Sequence, residues 1–154
     1  GSLGMGIGLA VGISIAFKRK GIENKTYCII GDGECNEGSV WEASMSACHN
    51  ELDNLTVILD NNSLQQTGSN TEISKPNFLS KKWESFGFET IEIDGHNIKE
   101  ISEALNHKVE KKPKIIVAKT IKGKGFSFAE NNNDWHHKVL TKSAYEEALK
   151  ELEN

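Results

Sequence analysis

The chain has 154 residues, 37% hydrophobic and 26% charged, enough for one folded α/β-sized domain spanning residues 1–154 with a core of its own. A formal charge of −4 argues against a nucleic-acid binder, which needs basic surface to neutralise phosphate. No apolar run reaches the roughly 18 residues of a membrane span, and Cys28, Cys35 and Cys48, with no CxxC pair, read as free thiols of a reduced, cytoplasmic protein rather than a zinc site.

Residues 4–18 read as a helix with Gly4, Gly8 and Gly12 on one face, where small residues let another backbone come close. Lys18, Arg19 and Lys20 suit its negative end, and Gly21 suits its stop. The glycines fail the dinucleotide fingerprint, because the sixth position counted from Gly4 is Leu9; a nucleotide-binding Rossmann domain is therefore disfavoured. The helix start, at Gly1 to Gly4, remains a candidate anion site.

Residues 26–30 form a short apolar run and read as a buried strand. A helix is expected from Ser39, since Ser39 and Glu42 have the spacing of a capping box, with Val40, Ala43, Ala47 and Cys48 on its packed face. A second buried strand is expected over 55–59, a short helix over 77–86 and a third strand over 88–93. Ile98, Ile101, Leu105 and Val109 mark an amphipathic helix, and 114–118 a fourth strand. A loop rich in Gly, Asn and His covers 121–139, and 142–152 reads as a last helix. Strands alternating with helices imply a doubly wound parallel sheet with helices on both faces.

Each strand ends in polar residues: Asp32, then Asp60-Asn61-Asn62, then Asp94-Gly95-His96, then Lys119-Thr120. Ligands of open parallel sheets bind beyond those ends. Asn62 follows Asp32 by 30 residues, one strand–helix–strand unit, so both fall on one edge of the sheet. A carboxylate, an amide oxygen and one backbone carbonyl make an oxygen-only donor set suited to a hard divalent cation that completes its shell with phosphate oxygens. Gly33 has no side chain to keep a phosphate from its N–H.

Gly31-Asp32-Gly33 with Asn61-Asn62 at this spacing resembles the thiamine-diphosphate fingerprint. GDGECNEGSVWEASMSACHNELDNLTVILDNNSLQQTG (31–68), GSLGMGIGLAVG (1–12) and KTIKGKGFSFAENNNDWHH (119–137) resemble the transketolase family, and within it the N-terminal subunit of transketolases split over two chains. The resemblance implies the thiamine-diphosphate-binding fold, with thiamine diphosphate and magnesium (or calcium or manganese) as cofactors. It implies Asp32, Asn62 and the carbonyl of Leu64 as metal ligands. Gly31 and Gly33 would meet the diphosphate, with Gly1, Ser2 and Leu3 beside the cofactor. His136 would lie near the diphosphate and donor substrate, and Glu37 and Glu42 would be buried acids at the contact with a second domain. The implied reaction is two-carbon ketol transfer from a ketose phosphate to an aldose phosphate. It would be carried out with a C-terminal pyrimidine-binding subunit in a dimer or heterotetramer, this chain being inactive alone. The family also carries a substantial segment before GSLG, so an upstream part is expected to be missing here. His137 and Val139 stand where the family has Gly and Pro.

Plainer readings stand beside these. Asp32 could cap a turn and Asn61 could be only a turn residue. Glu37 and Glu42 could be surface acids, the His136-His137 pair could be solvated, and Lys122 and Lys124 could be solvated lysines or phosphate contacts. Other thiamine-diphosphate enzymes, such as deoxyxylulose-phosphate synthases or 2-oxo acid dehydrogenases, and a truncated assembly module without catalysis, are the alternative functions.

Overall fold

A computed structural model of the chain describes residues 2–73 and 79–153. Gly1, and residues 77 and 78 of the helix expected over 77–86, lie outside them. The element order is α1 (Gly6–Arg19), β1 (Thr26–Gly31), α2 (Gly38–His49), β2 (Leu55–Asn61), β3 (Leu64–Gln65), β4 (Gly68–Ser69), α3 (Asn70–Ile73), α4 (Leu79–Ser85), β5 (Glu89–Asp94), α5 (Ile98–Asn106), β6 (Lys114–Lys119) and α6 (Lys142–Leu152). Four strands form a parallel sheet in the order β1-β2-β6-β5, and β3 with β4 makes a two-stranded hairpin.

The two faces of the sheet are covered unequally. Cys28, Ile30, Leu55, Val57, Leu59, Ile115 and Val117 point to one face and pack with Ile7, Ala10 and Val11 of α1, Val40 and Ala47 of α2, and Leu79 and Trp83 of α4. Alternate residues Ile91, Ile93, Ile58, Ile116 and Ala118 point to the other face, where α5 lays Ile101, Ala104 and Leu105 on them. That cover does not reach β1, an edge strand whose Tyr27 and Ile29 are 50% and 73% exposed. Helices thus lie on both faces, as expected, but β1 is buried on one side only.

Several element ends differ from expectation for local reasons. Helix α1 starts at Gly6 rather than residue 4, because Gly4 has φ +78°, outside the right-handed region. Its buried stripe is Ile7, Ala10, Val11 and Ser14; Gly8 and Gly12 face open space. Within this chain no backbone uses the room they leave. Helix α2 starts at Gly38 with Glu37 as N-cap, and no side chain caps it. The expected Ser39 capping box is absent, since the Ser39 hydroxyl donates instead to the Gly4 carbonyl at 3.0 Å. Helix α5 ends at Asn106, before Val109, and Ile98, in its first turn, is exposed. Its end is held by buried Lys114, whose Nζ donates to the carbonyls of Ala104, Leu105 and His107 at 2.7, 3.0 and 2.8 Å. A cation on the orphan carbonyls of a helix end satisfies both the carbonyls and the helix dipole.

Candidate cofactor site

Register places the site. Gly31 pairs with Asp60 at the ends of β1 and β2, and the Asp32 N–H continues to the Asp60 carbonyl at 3.1 Å. Asp32 then caps a short 3-10 turn, Gly33–Asn36, with its side chain accepting from the Gly33 N–H at 2.7 Å. Its other oxygen accepts the Ser63 N–H at 2.5 Å, and Asn70 adds a side-chain bond. Asp32 is 1% exposed. Burial raises its carboxyl above the usual range, partly countered by the bonds from Asn70, Ser63 and Gly33. The plain capping role of Asp32 is therefore present, and its carboxylate still faces the cleft.

Asn62 is fixed from both ends of its amide: Nδ2 donates to Asp60 at 3.1 Å and Oδ1 accepts the Leu64 N–H at 2.9 Å. Asp60 also accepts the Thr120 hydroxyl at the end of β6, which ties the tips of two adjacent strands. Asn61 ends β2, where its carbonyl accepts the Thr120 N–H at 3.2 Å. After Ser63, at φ 64°, the β3–β4 hairpin turns the chain back over the site.

Gly31, Asp32, Gly33, Asp60, Asn62 and Leu64 line a cleft of about 400 Å³ together with Leu3, Glu34, Gln65, Gln66, Thr67, Lys122 and His136. His136 arrives from the 121–139 loop, which has its own scaffold. Phe128 packs on Phe126 and Trp135 at 5.9 and 5.0 Å, and the Trp135 indole donates to the Phe128 carbonyl. The Asn133 side chain reaches the Gln66 carbonyl at 2.9 Å, docking the loop on the hairpin. The rings of His136 and His137 meet edge to face at 4.6 Å. Partial desolvation, Lys122 and His137 together hold the His136 imidazole below its ordinary value.

Of the residues expected at the site, Leu3, Gly31, Asp32, Gly33, Asn62, Leu64 and His136 meet in this cleft. Ser2 is exposed and does not line it, and Gly1 lies outside the described residues. Glu37 and Glu42 are not in the cleft; both are exposed at the start of α2. Gly33 is needed for a different reason than expected. Its N–H bonds Asp32, and a Cβ there would come within 2.7 Å of the Gln65 Cβ. Cys35, beside this turn, is buried with its thiol pushed up to about 12 by desolvation and by Asp32 and Glu34, so it is an inert filler.

Sequence reasoning gave no role to Glu34, Gln65 or Asn70 and placed Asp60 and Thr120 only as polar strand ends. Asp60 was visible as the acid preceding Asn61-Asn62; the others act through a hairpin and a crossover that no local pattern announces. Among the described residues no cluster of three or more His, Cys, Asp or Glu side chains is arranged to hold a metal.

Comparison with known proteins settles the family. Residues 1–152 match the family "Transketolase, thiamine diphosphate binding domain". This chain belongs to the transketolase family. It is 43% identical over 155 residues to an apulose-4-phosphate transketolase subunit of Actinobacillus succinogenes, covering 100% of this chain and 56% of that protein. It is 42% identical over 155 residues to the 6-deoxy-6-sulfo-D-fructose transketolase subunit SqwG of a Clostridium species, covering 99% of this chain and 56% of that one. Among solved structures, the transketolase of Campylobacter jejuni superposes with a TM-score of 0.91 at 33% identity, over 97% of this chain and 25% of that one. The chain thus spans just over half the length of these two transketolase subunits, and it matches the thiamine diphosphate binding domain of the family.

Proposed function

We propose that this transketolase chain holds the diphosphate of thiamine diphosphate through magnesium in the cleft at the β1 and β2 ends. The whole enzyme would transfer a two-carbon ketol unit from a ketose phosphate to an aldose phosphate, with a pyrimidine-binding partner subunit completing the site. The observation that carries this reading is the convergence of Asp32, Asn62 and Leu64 on one cleft wall, facing Lys122 and His136.

The residues present fit both groups. Asp32 spends three of its roughly four lone-pair sites on Gly33, Ser63 and Asn70, which leaves one for a cation. The Asn62 amide is oriented by Asp60 and Leu64, so its oxygen is presented in one place. Asp32, Glu34 and Asp60 give the cleft three carboxylates against one lysine and a histidine biased towards neutrality. A diphosphate entering such a cleft needs a divalent cation to offset that charge, and an oxygen-only donor set selects a hard one. Gln65, on the cleft wall, has a buried amide nitrogen with no partner among the described residues, a donor suited to a bound oxygen ligand.

Thiamine diphosphate, when bound, supplies the carbanion chemistry that breaks and forms the carbon–carbon bond. The chain's own residues would orient it. Asp32, Asn62 and the Leu64 carbonyl would hold the metal, Lys122 would offset phosphate charge, and His136, biased towards its neutral form, would accept or return a proton at the substrate hydroxyls. The partner would cover the outer face of α1 and α2, where Met5, Leu9, Ile13 and Met45 are 57, 68, 48 and 55% exposed beside Glu37 and Glu42. Exposed apolar residues at i, i+4 and i+8 on a helix mark a surface meant to be covered.

Calorimetric titration of thiamine diphosphate with magnesium tests the reading. Binding is expected to need the metal and to disappear in Asp32→Ala. Metal-independent binding, or an unaffected Asp32→Ala variant, would overturn it.

A further inference from the structure

Glu34 follows the Gly31-Asp32-Gly33 stretch and joins two otherwise separate walls of the cleft. Its Oε1 accepts the Gly4 N–H at 2.8 Å and its Oε2 accepts the Gly31 N–H at 3.1 Å. Ser39 completes the hold by donating to the Gly4 carbonyl at 3.0 Å. The turn so gripped is tightly seated: a Cβ on Gly4 would come within 2.5 Å of the Ser39 Oγ and 2.8 Å of the Glu37 Cβ. Through Leu3 this turn forms one side of the cleft, and through Gly31 the β1 end forms the other. The two backbone donors reach different oxygens of this side chain, and a carboxylate has an acceptor at both positions where an amide has an acceptor at one and a donor at the other. By charge alone the same carboxylate is unfavourable, because with Asp32 and Asp60 it presents a third like charge to an incoming diphosphate.

We propose that Glu34 is a positioning residue for thiamine diphosphate: its carboxylate clamps Gly4, ahead of α1, to Gly31 at the end of β1 and thereby sets the shape of the diphosphate cleft. The anion next to the start of α1 is then Glu34 itself, and the Gly4 N–H is committed to it rather than to a phosphate. This rests on the reading of the cleft as the cofactor site.

Charge and clamp predict opposite signs, which makes the test sharp. In the full-length protein, cofactor affinity at fixed magnesium is measured for the wild type, Glu34→Gln, Glu34→Ala and Asp32→Ala. Amide hydrogen exchange at Gly4 and Gly31 is followed without cofactor. If Glu34 acted only through its charge, Glu34→Gln would tighten binding. The clamp predicts that binding weakens roughly tenfold in Glu34→Gln and further in Glu34→Ala, the scale of losing one or two charge-assisted hydrogen bonds. Exchange at Gly4 should quicken by about the same factor, with the fold otherwise intact. Equal or tighter binding by Glu34→Gln, or unchanged Gly4 exchange, overturns the inference while leaving the site reading in place if Asp32→Ala still fails to bind. No binding by the wild type overturns the site reading and this inference with it.

Discussion

The carboxyl edge of the sheet and the outer face of α1 and α2 lie at opposite extremes of completeness. At the sheet edge the polar groups are engaged before any ligand arrives. Asp32 accepts two backbone N–H groups, Asp60 accepts from Asn62 and Thr120, and Glu34 accepts from Gly4 and Gly31. Along α1 and its N-cap, by contrast, Met5, Leu9 and Ile13 stand exposed, and a Cβ on Gly8 or Gly12 would meet nothing within 4 Å among the described residues beyond the helix itself. One region is cross-braced by hydrogen bonds within the chain; the other is apolar surface that no described residue covers. The difference teaches that the diphosphate cleft can be preorganised by this chain alone, whereas catalysis is expected to wait for whatever covers α1 and α2. This transketolase chain alone should therefore bind cofactor yet give no ketol transfer above background in a ketose–aldose assay. Transfer by the isolated chain would break the comparison outright.

The largest single-residue effect is expected at Asp32. Asp32→Ala would remove a proposed metal ligand and leave the Gly33 and Ser63 N–H groups, in part-buried hydrogen bonds, without their acceptor. Cofactor binding should fall beyond detection, and stability should drop by about 1–3 kcal/mol, the scale of two part-buried hydrogen bonds to a charged group lost. Lys114→Met separates stability from binding. Lys114 starts β6, at the opposite edge of the sheet from the cleft, and three carbonyls at the α5 end depend on it. Thermal unfolding should show a loss of about 2–3 kcal/mol, while calorimetry should show unchanged cofactor affinity. A weakened affinity would mean that the cleft is not an independently braced unit.

The order of elements and the sheet edge that holds the site were legible in the sequence because strand runs ending in Asp and Asn leave few arrangements open once the sheet is parallel. Asp32 and Asn62 could be placed together from spacing alone, and the transketolase resemblance then supplied Leu64 and His136. What stayed hidden was held by contacts distant in sequence. Glu34 bonds Gly4 across 30 residues and Thr120 bonds Asp60 across 60, and neither leaves a periodic trace. The Ser39 capping box failed because a tertiary partner, the Gly4 carbonyl, took the hydroxyl that would have capped the helix. Of the glycine stripe read as a contact face, Gly4 is seated tightly against Ser39 and Glu37, whereas Gly8 and Gly12 are open surface among the described residues.

That open surface gives the next test. Leu9 is 68% exposed on α1, so Leu9→Asp should change the stability of the chain by no more than about 0.5 kcal/mol. Cofactor binding by the chain should also be unaffected, because Leu9 does not line the cleft. Association with the proposed pyrimidine-binding subunit, followed by sedimentation, should weaken at least about tenfold, since a buried, unpaired carboxylate is costly. Unimpaired association would place the partner elsewhere and leave the apolar face of α1 without the role proposed for it.

The smallest effect concerns His136 and runs with pH. Desolvation, Lys122 and His137 hold its imidazole below the ordinary value, which biases it towards the neutral form in the free chain. A bound diphosphate would favour the charged form and raise that value, so proton uptake accompanies binding and affinity rises as pH falls through the His136 transition. The gain is expected to stay under about tenfold, that of a shift of one unit or less at a largely exposed group. Two replacements separate its causes. His136→Gln should flatten this part of the pH profile, whereas His137→Gly should move it to higher pH, because removing His137 relieves one of the groups that disfavour the charged ring. Calorimetric titrations from pH 5.5 to 8, a range of about one unit or more either side of an ordinary histidine, distinguish these outcomes. An unchanged profile in His136→Gln would show that another group in the cleft carries the proton.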